Sequence, residues 1–295
     1  MLVDASPYIF RAFFALPSSM RTPAGDPVNA AYGFAGFLLR LLGEGAERPR
    51  RVAVAFDGSL TTSFRNQIYP AYKAQRELPP ADLEAQQAWC REIAEALGLV
   101  TLIDSEYEAD DLLATLSRCL RESDPVVPHR IVSSDKDLSQ LVGPQVRLWD
   151  FARDELYGPS EVLAKFGVRP EQIVDFLALA GDPVDNIPGV RGIGRKTAAS
   201  LLAELGSLDA ALGDLERVAA LEIRGARGIA RKLGEQRDQA LLSRRLARVV
   251  SEVETGLEVD QLIWRGVRPE RWAALCERLG FGRLAEQGAA LGPSG

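Results

Sequence analysis

Short apolar strand-like runs alternate with helical patterns through the first 150 residues. That alternation predicts an α/β fold with a mostly parallel central sheet flanked by helices. Beyond about residue 159 the strand signals fade, and helical segments punctuated by Gly and Pro follow. A C-terminal helical subdomain is therefore expected. The glycine-rich turn between two of its helices reads as a helix-hairpin-helix (helix-3-turn-helix-like) element. The expected division is an α/β domain over residues 1–160, a helical subdomain over 161–287 and a tail over 288–295.

The strand candidates are MLVD, RVAVAFD, LVTLID, HRIVSSD and VRLWD. The first four are rich in β-branched residues and Leu with little polar alternation, as in parallel strands covered on both faces. Only three residues precede Asp4, which reads as a start placed too late and a truncated first strand that would misplace Asp4. Residues 28–44 and 82–97 carry helical spacing between strands. PSEVLAKFG, PEQIVDFLALAG, RKTAASLLAELG and EQRDQALLSRRLARVV supply the later helices.

Composition narrows the function. The 295 residues are 46% hydrophobic and 26% charged, as in an ordinary globular protein. No apolar run reaches the roughly 20 residues of a spanning helix. MLVDASPYIF has no basic stretch and carries Asp4, so no signal peptide is read there. Cys90, Cys119 and Cys276 lie too far apart in sequence for a zinc knuckle or a disulfide framework, and a reducing cytoplasm is the expected location. The single histidine, His129, argues against chemistry built on a His base. The net charge of −6 counts against nucleic-acid binding, but the average conceals local reversals. Residues 61–76 hold three basic and no acidic side chains, and residues 186–250 hold 12 Lys/Arg against 7 Asp/Glu.

Carboxylates fall in clusters that the strand pattern brings together. Asp4, Asp57 and Asp135 each follow a strand, and the carboxyl ends of parallel strands converge on one ligand-binding edge. Glu108, Asp110 and Asp111 open a helix in YEADDLLATL, Asp137 follows Asp135, and Asp182 and Asp185 lie in GDPVDNIPG. Any one cluster fits a helix cap equally well. Jointly they would repel, by about 4 kcal/mol for a pair 4 Å apart near a protein surface, unless cations lie among them. Oxygen-only donors select hard divalent ions, Mg²⁺ or Mn²⁺, and two such ions form the usual apparatus for phosphodiester hydrolysis.

Two basic elements accompany the acids. In SFRNQIYPAYKAQR, Arg65, Lys73 and Arg76 are interleaved with Tyr69 and Tyr72. Cations for phosphates and rings for unpaired bases suit a single strand, and a solvated loop suits the composition as well. The segment reads as an excursion over the site. In IPGVRGIGRKTA, Gly189, Gly192 and Gly194 follow a helix, not a strand, which excludes a dinucleotide-binding turn. Backbone N–H groups there, beside Arg191, Arg195 and Lys196, suit a duplex phosphate. RGARGIARKL echoes this pattern loosely.

LVD, FDG, FRNQIYPAYKAQR, YEADD, SSDKDLSQL and GDPVDNIPGVRGIGRKTA resemble, in the same order, the motifs of the 5′-nuclease (flap endonuclease) superfamily. They are most similar to the 5′–3′ exonuclease domain of bacterial DNA polymerase I and its stand-alone relatives. The resemblance spans about residues 1–287, which leaves no room for a polymerase domain and implies a free-standing form. It implies a Mg²⁺- or Mn²⁺-dependent 5′–3′ exonuclease or flap endonuclease working through two ions in replication or repair. Its substrate would be DNA with a 5′ end, nick or 5′ flap, with RNA accepted in the displaced strand. The protein would act as a monomer without a membrane. Asp4, Asp57, Glu108, Asp110, Asp111 and Asp135 match the first ion site or its water shell, and Asp137, Asp182 and Asp185 match the second. Lys73 and Arg76 match residues of an arch, here near 61–80, that contact the scissile phosphate, and Tyr72 matches an arch aromatic. The hairpin from Gly189 to Lys196 matches a duplex-binding turn that often carries K⁺. The contrasting function is a non-catalytic branched-DNA-binding protein of the same fold, which loss of the acids would mark; none is lost.

Overall fold

The computed structural model describes residues 1–43, 48–58 and 62–292. Glu44 at the end of one expected helix, residue 61 at the start of the expected arch and residues 293–295 of the expected tail lie outside them. Six strands form one sheet: β1 (Leu2–Asp4), β2 (Ala53–Asp57), β3 (Val100–Asp104), β4 (His129–Val132), β5 (Val146–Asp150) and β6 (Glu155–Tyr157). Their order is β3-β2-β1-β4-β5-β6. The first five run parallel, and β6 is an antiparallel edge strand paired with β5. Three residues suffice for β1 because it is central, with Leu2 and Val3 paired to both β2 and β4. Its neighbours lead away in opposite directions, so the ends of β1 and β4 flank the switch point where ligands bind in open α/β sheets. β6 is not legible in the sequence: it has three residues, two of them exposed, and no apolar run.

Helices α1 (Ser6–Ala15) and α2 (Asn29–Gly43) cover one face of the sheet. The short α3 (Phe64–Ile68) begins the excursion after β2, and α4 (Ala81–Ala96) returns the chain to the first face. α5 (Ala109–Ser123) crosses the opposite face. Its N-terminus is fixed by Asp111, whose carboxylate accepts from the Glu108 amide at 3.1 Å, while the Asp111 amide donates to the Glu108 carbonyl. α6 (Pro159–Phe166) starts on Pro159 and stops at Gly167, whose φ of +75° suits a left-handed helix end. There follow α7 (Ile173–Ala180), α8 (Arg195–Leu205), α9 (Leu208–Gly213), α10 (Leu215–Ala220), α11 (Ala226–Glu235) and α12 (Arg237–Ala247). These stack beside α5 in one continuous core that includes Phe176, Leu201, Leu233 and Leu246.

The last two helices depart from the expected division. α13 (Pro269–Leu279) and α14 (Gly282–Leu291) pack on α4 and α2, with Trp272 and Phe281 buried among Phe34, Leu38 and Ile93. The lead-in also joins the first layer: Val52 donates to the Leu262 carbonyl, and the Trp264 indole donates to the Leu97 carbonyl. Residues 161–287 are therefore not one packing unit, and 288–291 are helix, with Leu291 buried. Apolar faces carry no label for which core they will join, so helical spacing alone could not show this. Among the described residues no helix is long and apolar enough to cross a membrane.

Candidate functional site

Asp4 at the end of β1 is 4% exposed; it accepts from the Ser133 hydroxyl at 2.7 Å and the Ser6 amide at 3.2 Å. Asp57 at the end of β2 accepts from the Ser6 hydroxyl at 2.6 Å and the Ala109 amide at 2.9 Å, which ties β2 to the start of α5. Asp135, after β4, accepts from the Asp137 amide at 2.8 Å, while Ser133 accepts from the Asp135 amide at 2.9 Å. Ser6 and Ser133 thus orient the acids, a role that nothing in their composition signals. Burial, then the charge of Asp57, pushes the Asp4 carboxyl far above the usual carboxylate range. Burial raises Asp110 as well, reinforced by Asp135 and Asp4. Asp137 is raised by burial and then by Asp135, and one of its buried oxygens has no hydrogen-bond partner. The hydroxyl and amide bonds do not offset the mutual repulsion.

The excursion after β2 folds down onto these acids. Lys73 Nζ lies 2.6 Å from Glu108 Oε1 and 3.8 Å from Asp185 Oδ2, and Arg76 pairs with Asp185 Oδ1. Burial alone would lower the Lys73 pKa, but the charges of Glu108 and Asp185 raise it. The backbone is latched too. The Lys73 amide donates to the Asp185 carbonyl, the Gln75 amide group to the Pro183 and Val184 carbonyls, and the Asn186 amide group to the Ala71 carbonyl. Lys73 itself takes a φ of +54°, a left-handed conformation uncommon outside Gly, Asn and Asp. Farther along, Lys136 Nζ lies 2.6 Å from Asp182 Oδ2 and 3.8 Å from Asp137 Oδ1. Lys136 is absent from the residues that the motifs single out, although its place between two acids in SSDKD is a signal.

Four expected site residues have other work. Arg65 is 2% exposed and spends its guanidinium on both Asp111 oxygens, Glu108 Oε2 and the Leu246 and Arg248 carbonyls, so it cannot reach DNA. Asp111 is fully buried and accepts from Arg65, the Glu108 amide and the Val250 amide, so its lone pairs are spent on the fold, not on an ion. Tyr72 is 3% exposed, with its hydroxyl 3.0 Å from Glu108 Oε2 and 3.2 Å from Asp185 Oδ2; it offers no stacking face. Tyr69 is half-buried against the core. Residue type and spacing make each a nucleic-acid or metal contact, because composition cannot tell a paired side chain from a free one.

The hairpin joins α7 to α8. Asp182 and Ile187 exchange backbone bonds across the turn, and the Val190 amide donates to the Leu179 carbonyl. Gly189 has φ +61°, and a Cβ there would meet the Gly181 nitrogen at 2.3 Å. Gly192 has φ +83°, and its carbonyl accepts from Lys232 Nζ at 3.0 Å. Gly194 caps α8 with an ordinary φ and open space around it, so the demand for glycine falls on the first two. Arg191, Arg195 and Lys196 are exposed, and the Arg195 guanidinium lies 4.9 Å from the Phe176 ring centre. RGARGIARKL contributes α11, whose Lys232 and Gln236 bond the hairpin backbone from behind.

Among the described residues, no three acid side chains close on one point as a complete metal cage; Lys73 and Lys136 lie against acids of the cluster. The donor set nonetheless fits hard divalent cations. It is oxygen only, buried or half-buried and mutually repelling, and it includes an unpartnered Asp137 oxygen.

Family models of the 5′–3′ exonuclease match residues 1–167 as its N-terminal resolvase-like domain and residues 168–270 as its C-terminal SAM fold. The chain belongs to the 5′–3′ exonuclease family. Members of this family are nucleases, hence hydrolases. DNA polymerase I of Pseudomonas aeruginosa is 42% identical over 283 residues, 95% of this chain and 30% of that protein. The thermostable DNA polymerase I of Thermus thermophilus is 41% identical over 287 residues, 97% of this chain and 33% of that protein. This family member thus spans about a third of the length of the curated relatives it matches. Its fold is similar to that of the T5 5′-exonuclease with bound divalent metal ions (zinc), at TM-score 0.64 and 19% identity, covering 99% and 98% of the two chains. It is equally similar to the catalytic core of Rad2 in complex with DNA substrate, at TM-score 0.65 and 17% identity, covering 99% and 91%.

Proposed function

We propose that this chain is a divalent-cation-dependent 5′ nuclease that hydrolyses phosphodiesters in DNA at a 5′ end, nick or 5′ flap. The observation that carries the reading is the convergence of Asp4, Asp57, Asp110, Asp135 and Asp137 on the switch point of a sheet whose helical partner presents an exposed basic hairpin. Asp4, Asp57, Asp110 and Asp135 would hold one ion, with Glu108 beside them, and Asp137, Asp182 and Asp185 a second. Mg²⁺ or Mn²⁺ held there would supply Lewis-acid chemistry for attack by water on the phosphodiester and for departure of the leaving oxygen.

The chain's own residues do the rest. The free N–H groups at the start of α8, with Arg191, Arg195 and Lys196, grip duplex phosphates without reading sequence. Lys73 and Arg76 exchange their carboxylates for the phosphate being cut and offset its developing charge. Arg65, held by Asp111, fixes the foot of the arch so that Lys73 points inward. A K⁺ ion at the hairpin would compete with the Lys232 ammonium for the Gly192 carbonyl.

The test is cleavage of 5′-labelled flap, nicked and single-stranded substrates, with DNA or RNA in the 5′ strand, in Mg²⁺, Mn²⁺ or EDTA. Product from the flap or nick in Mg²⁺ and none in EDTA is expected. Binding without cleavage under every condition overturns the catalytic reading in favour of a branched-DNA-binding protein.

A further inference from the structure

The charges around the acidic edge are distributed unevenly. Among the described residues, no Lys or Arg nitrogen lies within 4.0 Å of the carboxylates of Asp4, Asp57, Asp110 or Asp135. Every acid assigned above to the second ion has such a partner. Asp185 is served by Lys73 and Arg76, which belong to the arch. Asp137 and Asp182 are served by Lys136, which does not belong to the arch. It lies between β4 and the short 3₁₀ turn Asp137–Leu141, on the backbone that carries Asp135 and Asp137 themselves. Its ammonium is therefore delivered by the same turn as the ligands.

Asp182 is 3% exposed and comes from the far side of the cleft, after α7. One of its oxygens accepts from the Val184 amide at 3.0 Å, and the other meets Lys136 at 2.6 Å. Lys136 is only 3.8 Å from the Asp137 oxygen that has no hydrogen-bond partner, close enough to attract it and too far to bond it. One ammonium thus bridges two acids drawn from the two halves of the molecule.

We propose that Lys136 is the resident counter-cation of the second ion site, holding Asp137 and Asp182 together and setting the concentration of divalent ion at which that site fills. The inference rests on the two-ion reading above. A divalent ion entering between Asp137 and Asp182 must displace the ammonium or share the carboxylates with it, and either costs affinity. At the first site only Glu108 meets cations, Lys73 of the arch and the buried Arg65, and the four aspartates have none within 4.0 Å among the described residues. The two ions therefore bind with unequal strength, the weaker at the Lys136 side, and the chain carries the second ion only when divalent ion is abundant or a phosphate adds its own charge.

The experiment counts bound Mn²⁺ by electron paramagnetic resonance on the full chain without DNA. Wild type should show a tight and a weak class of site. Lys136→Met keeps the length of the stem and removes the charge; the weak class should tighten by about tenfold or more, with the tight class unchanged. Lys136→Arg should stay with wild type. If Lys136→Met fails to give a cooperative melt, Lys136→Gln takes its place. Two classes of site with the weak one unchanged within about threefold overturn the role of Lys136 alone. A weak class that loosens overturns it too, because Lys136 would then be building the site and not competing for it. A single class in wild type overturns the two-ion reading and this inference together.

Discussion

The acidic edge and the basic hairpin lie on either side of the turn 182–194, and they handle their charge in opposite ways. At the edge the carboxylates are buried or half-buried, and part of the cluster meets internal cations: Lys73 on Glu108, Arg76 on Asp185, Lys136 on Asp182, while Asp4, Asp57, Asp110 and Asp135 have none within 4.0 Å among the described residues. At the hairpin Arg191, Arg195 and Lys196 stand exposed with no carboxylate partner among the described residues. A largely buried cluster of one sign is costly without counter-charge, whereas exposed cations are served by water. Under the proposed function the edge would exchange these partners when ions and phosphate arrive. The hairpin is already in its working form, shaped by backbone and by Gly189 and Gly192. The proposed function puts chemistry in the region that must rearrange and grip in the region that need not.

The comparison is tested most severely at the pair that does not exchange. Arg65 and Asp111 have side chains 3% and 0% exposed. Asp111→Ala strands a buried guanidinium and should lower stability by about 3–5 kcal/mol, read as a shift in the urea midpoint. A midpoint equal to wild type would return Asp111 to the exchangeable ligands. Next, Asp135→Ala should leave stability and duplex affinity near wild type while single-turnover cleavage falls by about 10³-fold or more. Retained Mg²⁺-dependent turnover would move the site elsewhere.

Lys73 separates the two behaviours within one side chain. Lys73→Ala should lower the single-turnover rate on a 5′ flap by about 10²–10³ at saturating enzyme, with little change in affinity. Lys73→Arg should recover part of this, since a planar fork does not reproduce a compact ammonium. A rate within about threefold of wild type would show Lys73 to be a counter-ion for Glu108 and nothing more. The smallest effect belongs to the hairpin. Lys196→Ala should reduce duplex affinity modestly, flatten the log–log salt slope by about 0.9 and leave the melt untouched. Gly189→Val, by contrast, should disturb the melt itself, because its Cβ has no room beside Gly181. Equal behaviour of the two variants would erase the distinction between a shaped backbone and an exposed charge.

Much of the fold and of the acidic edge is legible in the amino-acid sequence. Parallel strands read as short apolar runs, so β1 to β5 and the acids at their ends can be read locally, and with them the convergence of Asp4, Asp57 and Asp135, although β3 proves to be an edge strand that buries only Leu102. Gly and Pro mark turns by their own backbone preferences, which makes the hairpin visible. The tertiary structure decided the partners. Arg65 finds Asp111 across 46 residues, Lys136 finds Asp182 across 46, and the Tyr72 hydroxyl finds Asp185 across 113. It also decided that α13 and α14 close over the first layer and leave the helical unit. Propensity, capping and apolar spacing act over a few residues and are written in the chain. Whether a given Arg, Tyr or Asp is spent on the fold or left for a ligand depends on which distant group lies beside it, and only packing supplies that neighbour.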